Sequence, residues 1–202
     1  MFKPVAKQKP SEVQTKLSAA VRRKDSLVRQ LTREKNTKEK ATDRFVKADL
    51  NAGIRNLEGR IARFEKQIQE LISSDPAMSE KKRKLEEVKG IGPAASALLL
   101  AELPELGSIS DKKASCLVGV APLNRDSGNW RGQRTIHGGR GLVRRGLYMP
   151  ALSAITHNPI LSAFYRGLVA RNKAHHVAIT AVMRKLICLL NRVLADPEFE
   201  LS

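Results

Sequence analysis

The chain has 202 residues, enough for one or two domains with a modest core, and carries 37 Lys or Arg against 20 Asp or Glu, a formal net charge of +17. That excess points to a polyanionic partner, and with no run near about eighteen consecutive apolar residues it favours nucleic acid over a membrane. The N-terminus lacks the apolar core of a signal peptide, and Cys116 and Cys188 stand in no metal-ligand spacing, so the composition predicts a cytoplasmic protein without a disulfide.

Residues 1–12 include Pro4, Pro10, Lys3, Lys7 and Lys9 and read as a disordered basic tail. From Val13 to about Val46 the chain is rich in helix formers with no internal Pro or Gly, and its sparse apolar positions are Leu17, Val21, Leu27, Val28, Leu31 and Phe45. Leu50, Ile54, Leu57, Ile61, Phe64, Ile68 and Leu71 then alternate at spacings of four and three, the a/d seam of a coiled coil. That seam needs a partner: either the preceding helix, folded back as a hairpin, or the same helix of a second protomer. Arg55, Arg60, Arg63 and Lys66 on this helix read as a solvated face.

Ser73, Ser74, Asp75 and Pro76 mark a boundary between coiled-coil helices at 13–74 and a helical domain at 75–202. A short helix is predicted from Ser79 to Val88. Val88 to Leu100 then resembles a helix-hairpin-helix: an apolar residue, a Gly-Ile-Gly turn, Pro93 at a helix start, and apolar residues behind it. Its outward N–H groups make Lys89, Gly90 and Gly92 candidate phosphate contacts that read no sequence, the alternative being a plain packing element. A helix from Asp111 to Leu117 is capped by Ser110, and residues 129–137 suggest a brief hairpin. Gly141 to Ile155 is predicted as a helix interrupted by Pro150, with Leu142, Leu147, Tyr148 and Leu152 inward and Arg140, Arg144 and Arg145 outward. Helices at Ile160–Val169 and His175–Leu194 follow, the latter with Ile179, Val182, Met183, Leu186, Leu190 and Val193 as a core face. No stretch alternates long enough for a sheet, so the fold class is mainly α.

Between Gly119 and Tyr148 the chain is neither ordinary helix nor linker. Glycines that let backbone approach a ligand alternate with Arg125, Arg131, Arg134, Arg140 and Arg144, whose flat forks match phosphate oxygens, around Ser127 in an Asp-Ser-Gly turn. Residues 121–192 hold twelve Arg or Lys and one acid, Asp126, a surplus of eleven positive charges. By residue type this is either a loop that touches a nucleic-acid backbone or a site in which Ser127 attacks a phosphodiester. Asp126 and His137 are the nearby candidates for a base. His175 and His176 point about a hundred degrees apart on a helix and make a poor zinc pair, and no strand-turn-helix elbow flanks Ser127 as a hydrolase would need.

The order of Ala121, Pro122, Ser127, Gly128, Ile136, Gly138, Gly139, Arg140, Val143, Arg144, Leu147, Tyr148 and Met149 resembles the C-terminal domain of the IS110 (IS116/IS902) insertion-sequence transposases, over about Leu85 to Ala195. The resemblance implies DNA recombination with Ser127 as the nucleophile, guided by a structured RNA. It also implies an N-terminal domain whose four acidic residues hold Mg2+, joined across protomers by a coiled coil. Before Leu50 the acids are Glu12, Asp25, Glu34, Glu39, Asp43 and Asp49, all in tail or helix-forming sequence, so the expectation is that the acidic domain is missing and that this chain has no metal site or cofactor of its own. Two readings follow: the coiled-coil and serine-bearing part of a transposase, inactive as an isolated chain, that partners DNA, guide RNA and a second or full-length copy, or a non-enzymatic nucleic-acid-binding remnant or regulator of a full-length transposase.

Overall fold

The computed structural model describes residues 10–123, 135–196 and 198–199. Among these, nine helices are found: α1 (Glu12–Lys40), α2 (Arg44–Ser73), α3 (Pro76–Glu87), α4 (Pro93–Glu102), α5 (Asp111–Val118), α6 (Gly141–Gly146), α7 (Tyr148–His157), α8 (Pro159–Ala170) and α9 (His175–Ala195). The β structure among the described residues is one isolated antiparallel bridge, between Leu123 and Thr135. The fold is mainly α. The chain divides into two compact units, Met1–Pro76 and Ala77–Ser202.

In the first unit α1 and α2 pack on each other as a hairpin. The single helix expected across 13–46 is broken at residues 41–43, because Asp43 accepts a hydrogen bond from Val46 N at 2.9 Å and starts α2 afresh. Ser11 caps α1 in the same way through Gln14 N. Leu17, Ala20, Val21 and Leu27 of α1 are buried, as are Leu50, Ile54, Leu57, Ile68 and Ile72 of α2. The seam therefore finds its partner within the chain. Cover thins at Ile61 and Phe64, which are half-buried, where α1 brings Lys24 rather than an apolar residue, its Nζ 2.9 Å from Glu65. Lys35 pairs with Glu58 at 2.9 Å, so the two ion pairs run in opposite order along the helices, as an antiparallel register requires. Exposed pairs of this kind add little stability. Phe45, expected on the first helix, lies beyond the turn and is 83% exposed.

The second unit is built on α9, whose Ala178, Ile179, Val182, Met183, Leu186, Ile187, Leu190 and Val193 are all buried. The six core positions expected from helical spacing are among them. Helices α5, α7 and α8 pack on α9, and α4 packs on α6. Every residue of α4 from Ala95 to Glu102 is buried, which is why this segment has no amphipathic pattern. Asn191, buried on α9, accepts from Gly107 N (2.9 Å) and donates to Ile109 O (2.8 Å) and Asp111 Oδ1 (3.0 Å), tying the α4–α5 connection to the core. Ser110 caps α5 through Lys113 N.

The expected helix 141–155 is two helices, α6 and α7, joined at Leu147. Pro150 has no N–H for the carbonyl of Gly146, and its ring crowds that carbonyl, so the break falls one turn before the proline. The interruption resets the inward face. Leu147, Ala151 and Ala154 are buried, at spacings of four and three, whereas Tyr148, expected inward, is 44% exposed.

Leu57→Asp should destabilise the hairpin by about 2–5 kcal/mol, because a carboxylate would replace a core leucine without a partner. Unchanged helicity and unchanged thermal unfolding of the variant by circular dichroism would show that the seam is not buried.

Candidate nucleic-acid site

Helix α5 ends at Gly119, which takes the left-handed conformation (φ 75°) and donates its N–H to Cys116 O. The chain continues through the buried Val120 to Leu123, and it is described again from Thr135. Leu123 and Thr135 exchange both backbone hydrogen bonds, at 3.0 and 3.4 Å. The segment 124–134 thus has its two ends pinned side by side. Ser127, Arg125, Arg131, Arg134 and Asp126 lie in that segment, outside the described residues, as does most of the hairpin expected at 129–137.

Below the bridge the two backbones touch. Gly138 and Gly139 both have φ of 68°, and a Cβ on Gly139 would sit 2.6 Å from Gly119 Cα, while one on Gly119 would overlap the Gly138 carbonyl. Only glycine fits on either side. Arg140 N donates to Leu117 O at 2.7 Å and fastens the crossing to the end of α5.

Two of the arginines expected to point outward complete this clasp. Arg144 Nη1 donates to Gly138 O at 2.7 Å and to Gly119 O at 3.2 Å, bridging the two strands at their contact. Arg140 grips Glu105 with both Nη atoms at 2.7 Å and also donates to Glu102 O at 2.7 Å. That bidentate pair is about three-quarters shielded, with 27% and 28% of the two side chains exposed, and it fixes the fork in place. Sequence spacing had suggested phosphate contacts for both. It could not show that Glu105, thirty-five residues earlier, and two glycine carbonyls would occupy them. Glu105 and Glu102 are the functional neighbours that sequence reading missed, and nothing in their local pattern singles them out.

The Gly90 turn lies between α3 and α4. Gly90 has φ of 106° and sits against α7, where a Cβ would come 2.8 Å from Ala154 N. Gly92 is the N-cap of α4, exposed and without a side-chain capping bond, and Lys89 is exposed beside it. Ser96 donates to Glu86 Oε1 at 2.6 Å, joining the first turn of α4 to α3. Also on α3, hydrogen bonding from Arg83 holds the exposed Glu80 carboxyl below the usual carboxylate range, which leaves this acid paired on the helix surface. His137 is exposed at the return from the bridge. His175 Nδ1 is 2.7 Å from the Tyr165 hydroxyl. Among the described residues no three His, Cys, Asp or Glu side chains come together as a metal site. Cys116 and Cys188 are free thiols, and Cys188 lies 3.4 Å from the Ser115 hydroxyl.

Gly139→Ala should lower stability by about 2–4 kcal/mol, combining a left-handed non-glycine residue with a backbone overlap. Gly138→Ala, where a Cβ meets nothing within 4 Å, should cost only the first part. Equal melting temperatures for the two variants would mean that the crossing is not a close contact.

Residues 82–166 match the model of the family described as Transposase IS116/IS110/IS902. The chain is 27% identical over 186 residues to a pilin gene-inverting protein of Moraxella bovis, covering 90% of this chain and 58% of that protein, and equally so to its counterpart in Moraxella lacunata. It is 26% identical over 138 residues to an uncharacterized 43.6 kDa protein of insertion element IS110 from Streptomyces coelicolor, covering 67% of this chain and 33% of that one. The chain thus spans somewhat more than half the length of the pilin gene-inverting relatives. The matched segment lies inside the clasped second unit, which is therefore the part of the chain similar to the IS116/IS110/IS902 transposases.

Proposed function

We propose that the second unit is the DNA-handling part of a recombinase in which Ser127 attacks a DNA phosphodiester. The observation that carries this reading is the clasp. A bridge, a glycine crossing and two arginine clamps hold both ends of the segment that bears Ser127, which is the rigid support a positioned nucleophile needs. The family-model match over residues 82–166 and the relatives named for pilin gene inversion support DNA as the substrate.

Within this proposal Arg125, Arg131 and Arg134 neutralise the non-bridging phosphate oxygens, and Arg140 and Arg144 act as positioning residues. Lys89, Gly90 and Gly92 add a sequence-independent phosphate contact at the start of α4. The serine hydroxyl forms an ester to phosphorus as the 3′ or 5′ oxygen of the broken DNA strand leaves, and the hydroxyl proton passes to a base. In this proposal the chain's own contribution is the Ser127 hydroxyl and the cationic surroundings. An acidic metal-binding domain and a structured guide RNA would act in trans. The hairpin of the first unit is the proposed means of association with a second or full-length copy.

The test supplies the chain with an intact family member's acidic domain, guide RNA and both DNA sites, and traps covalent protein–DNA product on a denaturing gel. Ser127→Ala should abolish the product while changing DNA affinity by no more than about twofold, since many phosphate contacts set that affinity. Affinity itself should fall steeply and linearly in log salt. An adduct that survives Ser127→Ala would move the nucleophile elsewhere, with Tyr148 the next residue to test. Salt-dependent binding with no adduct under any condition would favour the non-enzymatic reading.

A further inference from the structure

An open groove of about 420 Å3 lies within the second unit, lined by Ile136, Arg144, Arg145, Tyr148, Thr180 and Met183. We propose that it is a subsite for a single unstacked nucleobase of the bound DNA. This rests on the reading of the second unit as a DNA-handling module, and adds to it a place where one base leaves the duplex.

Four observations converge on that occupant. The volume falls in the range of about 300–1,000 Å3 typical of small-ligand clefts and can hold a nucleobase. Tyr148 is 44% exposed although aromatics make up only 4% of the chain, and as the first residue of α7 its backbone is held by a helix. Bases stack on such rings whatever their sequence. Ile136 and Met183 supply further apolar wall, and the polarisable thioether of Met183 suits a flat π surface. The charged members of the lining are both arginines, in a stretch with twelve basic residues and one acid; Arg144 Nη1 donates to the two glycine carbonyls, but the positive potential at the groove still suits an occupant with negative charge beside its apolar body. A base with its adjoining phosphate meets both demands.

The position explains what the subsite would do. Ile136 directly follows Thr135 of the bridge, so the groove begins where the segment bearing Ser127 returns to the fold. A base drawn from the stack there frees its own phosphodiester from helical geometry, and extrusion is easiest where pairing is already lost.

The experiment measures affinity of the full chain for three short DNAs by fluorescence anisotropy: a fully paired duplex, the same duplex with one bulged thymidine, and the bulge with an abasic residue in its place. The wild-type chain should bind the bulged duplex about tenfold more tightly than either control, the effect of one base stacked on an aromatic ring. Tyr148→Phe should keep that preference and Tyr148→Ala should lose it, with paired-duplex binding and its salt slope unchanged in both. Thr180→Phe, which fills the groove from α9, should lose it too, and circular dichroism verifies folding of all three. Equal wild-type affinity for bulged and abasic duplexes, or a preference that persists in Tyr148→Ala and Thr180→Phe, would overturn the subsite alone. Self-association that Thr180→Phe disrupts, with no base preference, would assign the groove to a second copy. Absence of salt-dependent binding to the paired duplex would overturn the underlying DNA reading and the subsite with it.

Discussion

The second unit depends on two backbones meeting where no side chain can stand. Gly119 ends α5 and Gly139 precedes α6, and their contact decides where the chain leaves the helical core and where it re-enters. A crossing this close brings two carbonyls together, those of Gly119 and Gly138, and their mutual repulsion needs a cation. Arg144 provides it from the first turn of the very helix that the crossing launches. Sequence order, local conformation and electrostatics are thus locked to one another in about two dozen residues.

The same economy changes the meaning of the basic surplus. A count of arginines around Ser127 suggests one uniform cationic surface, yet Arg140 and Arg144 spend their donors on Glu105, Glu102 O and the glycine carbonyls. An arginine's fork suits a carboxylate as well as a phosphate, and a half-buried carboxylate in fixed geometry wins it. The basic surplus of this stretch is therefore not all surface charge, because Arg140 and Arg144 build the support.

Much of this architecture was legible from the sequence because it rests on local rules. The α9 core face, the Ser110 cap, the interruption near Pro150 and a tight turn at the Gly90 and Gly92 pair follow from period, capping and backbone sterics. What stayed hidden depends on distant partners. The turn at residues 41–43 has no Gly or Pro to announce it and shows itself only through the Asp43 cap. The seam of α2 was clear, but its partner was not, since α1 offers only Leu17, Ala20, Val21 and Leu27 as buried contacts. The inward face of α7 was misplaced at Tyr148 because the break at Leu147 resets helical phase, an effect of tertiary packing that spacing alone cannot carry. The roles of Arg140 and Glu105 required the fold itself.

The bridge between Leu123 and Thr135 also separates the fate of the segment it closes from that of the domain below it. Once the two ends of a connection are fixed, the entropic cost of lengthening it grows only with the logarithm of its length, about 0.6 kcal/mol for each doubling. Insertions, deletions and wholesale replacement between these two residues are therefore inexpensive to the core, whereas a single methyl at the glycine crossing is not. Such a division leaves the segment between the bridge residues open to change in length and composition while the scaffold beneath it stays under tight constraint. It also makes the interval from 124 to 134 the natural point at which to graft a segment from a relative.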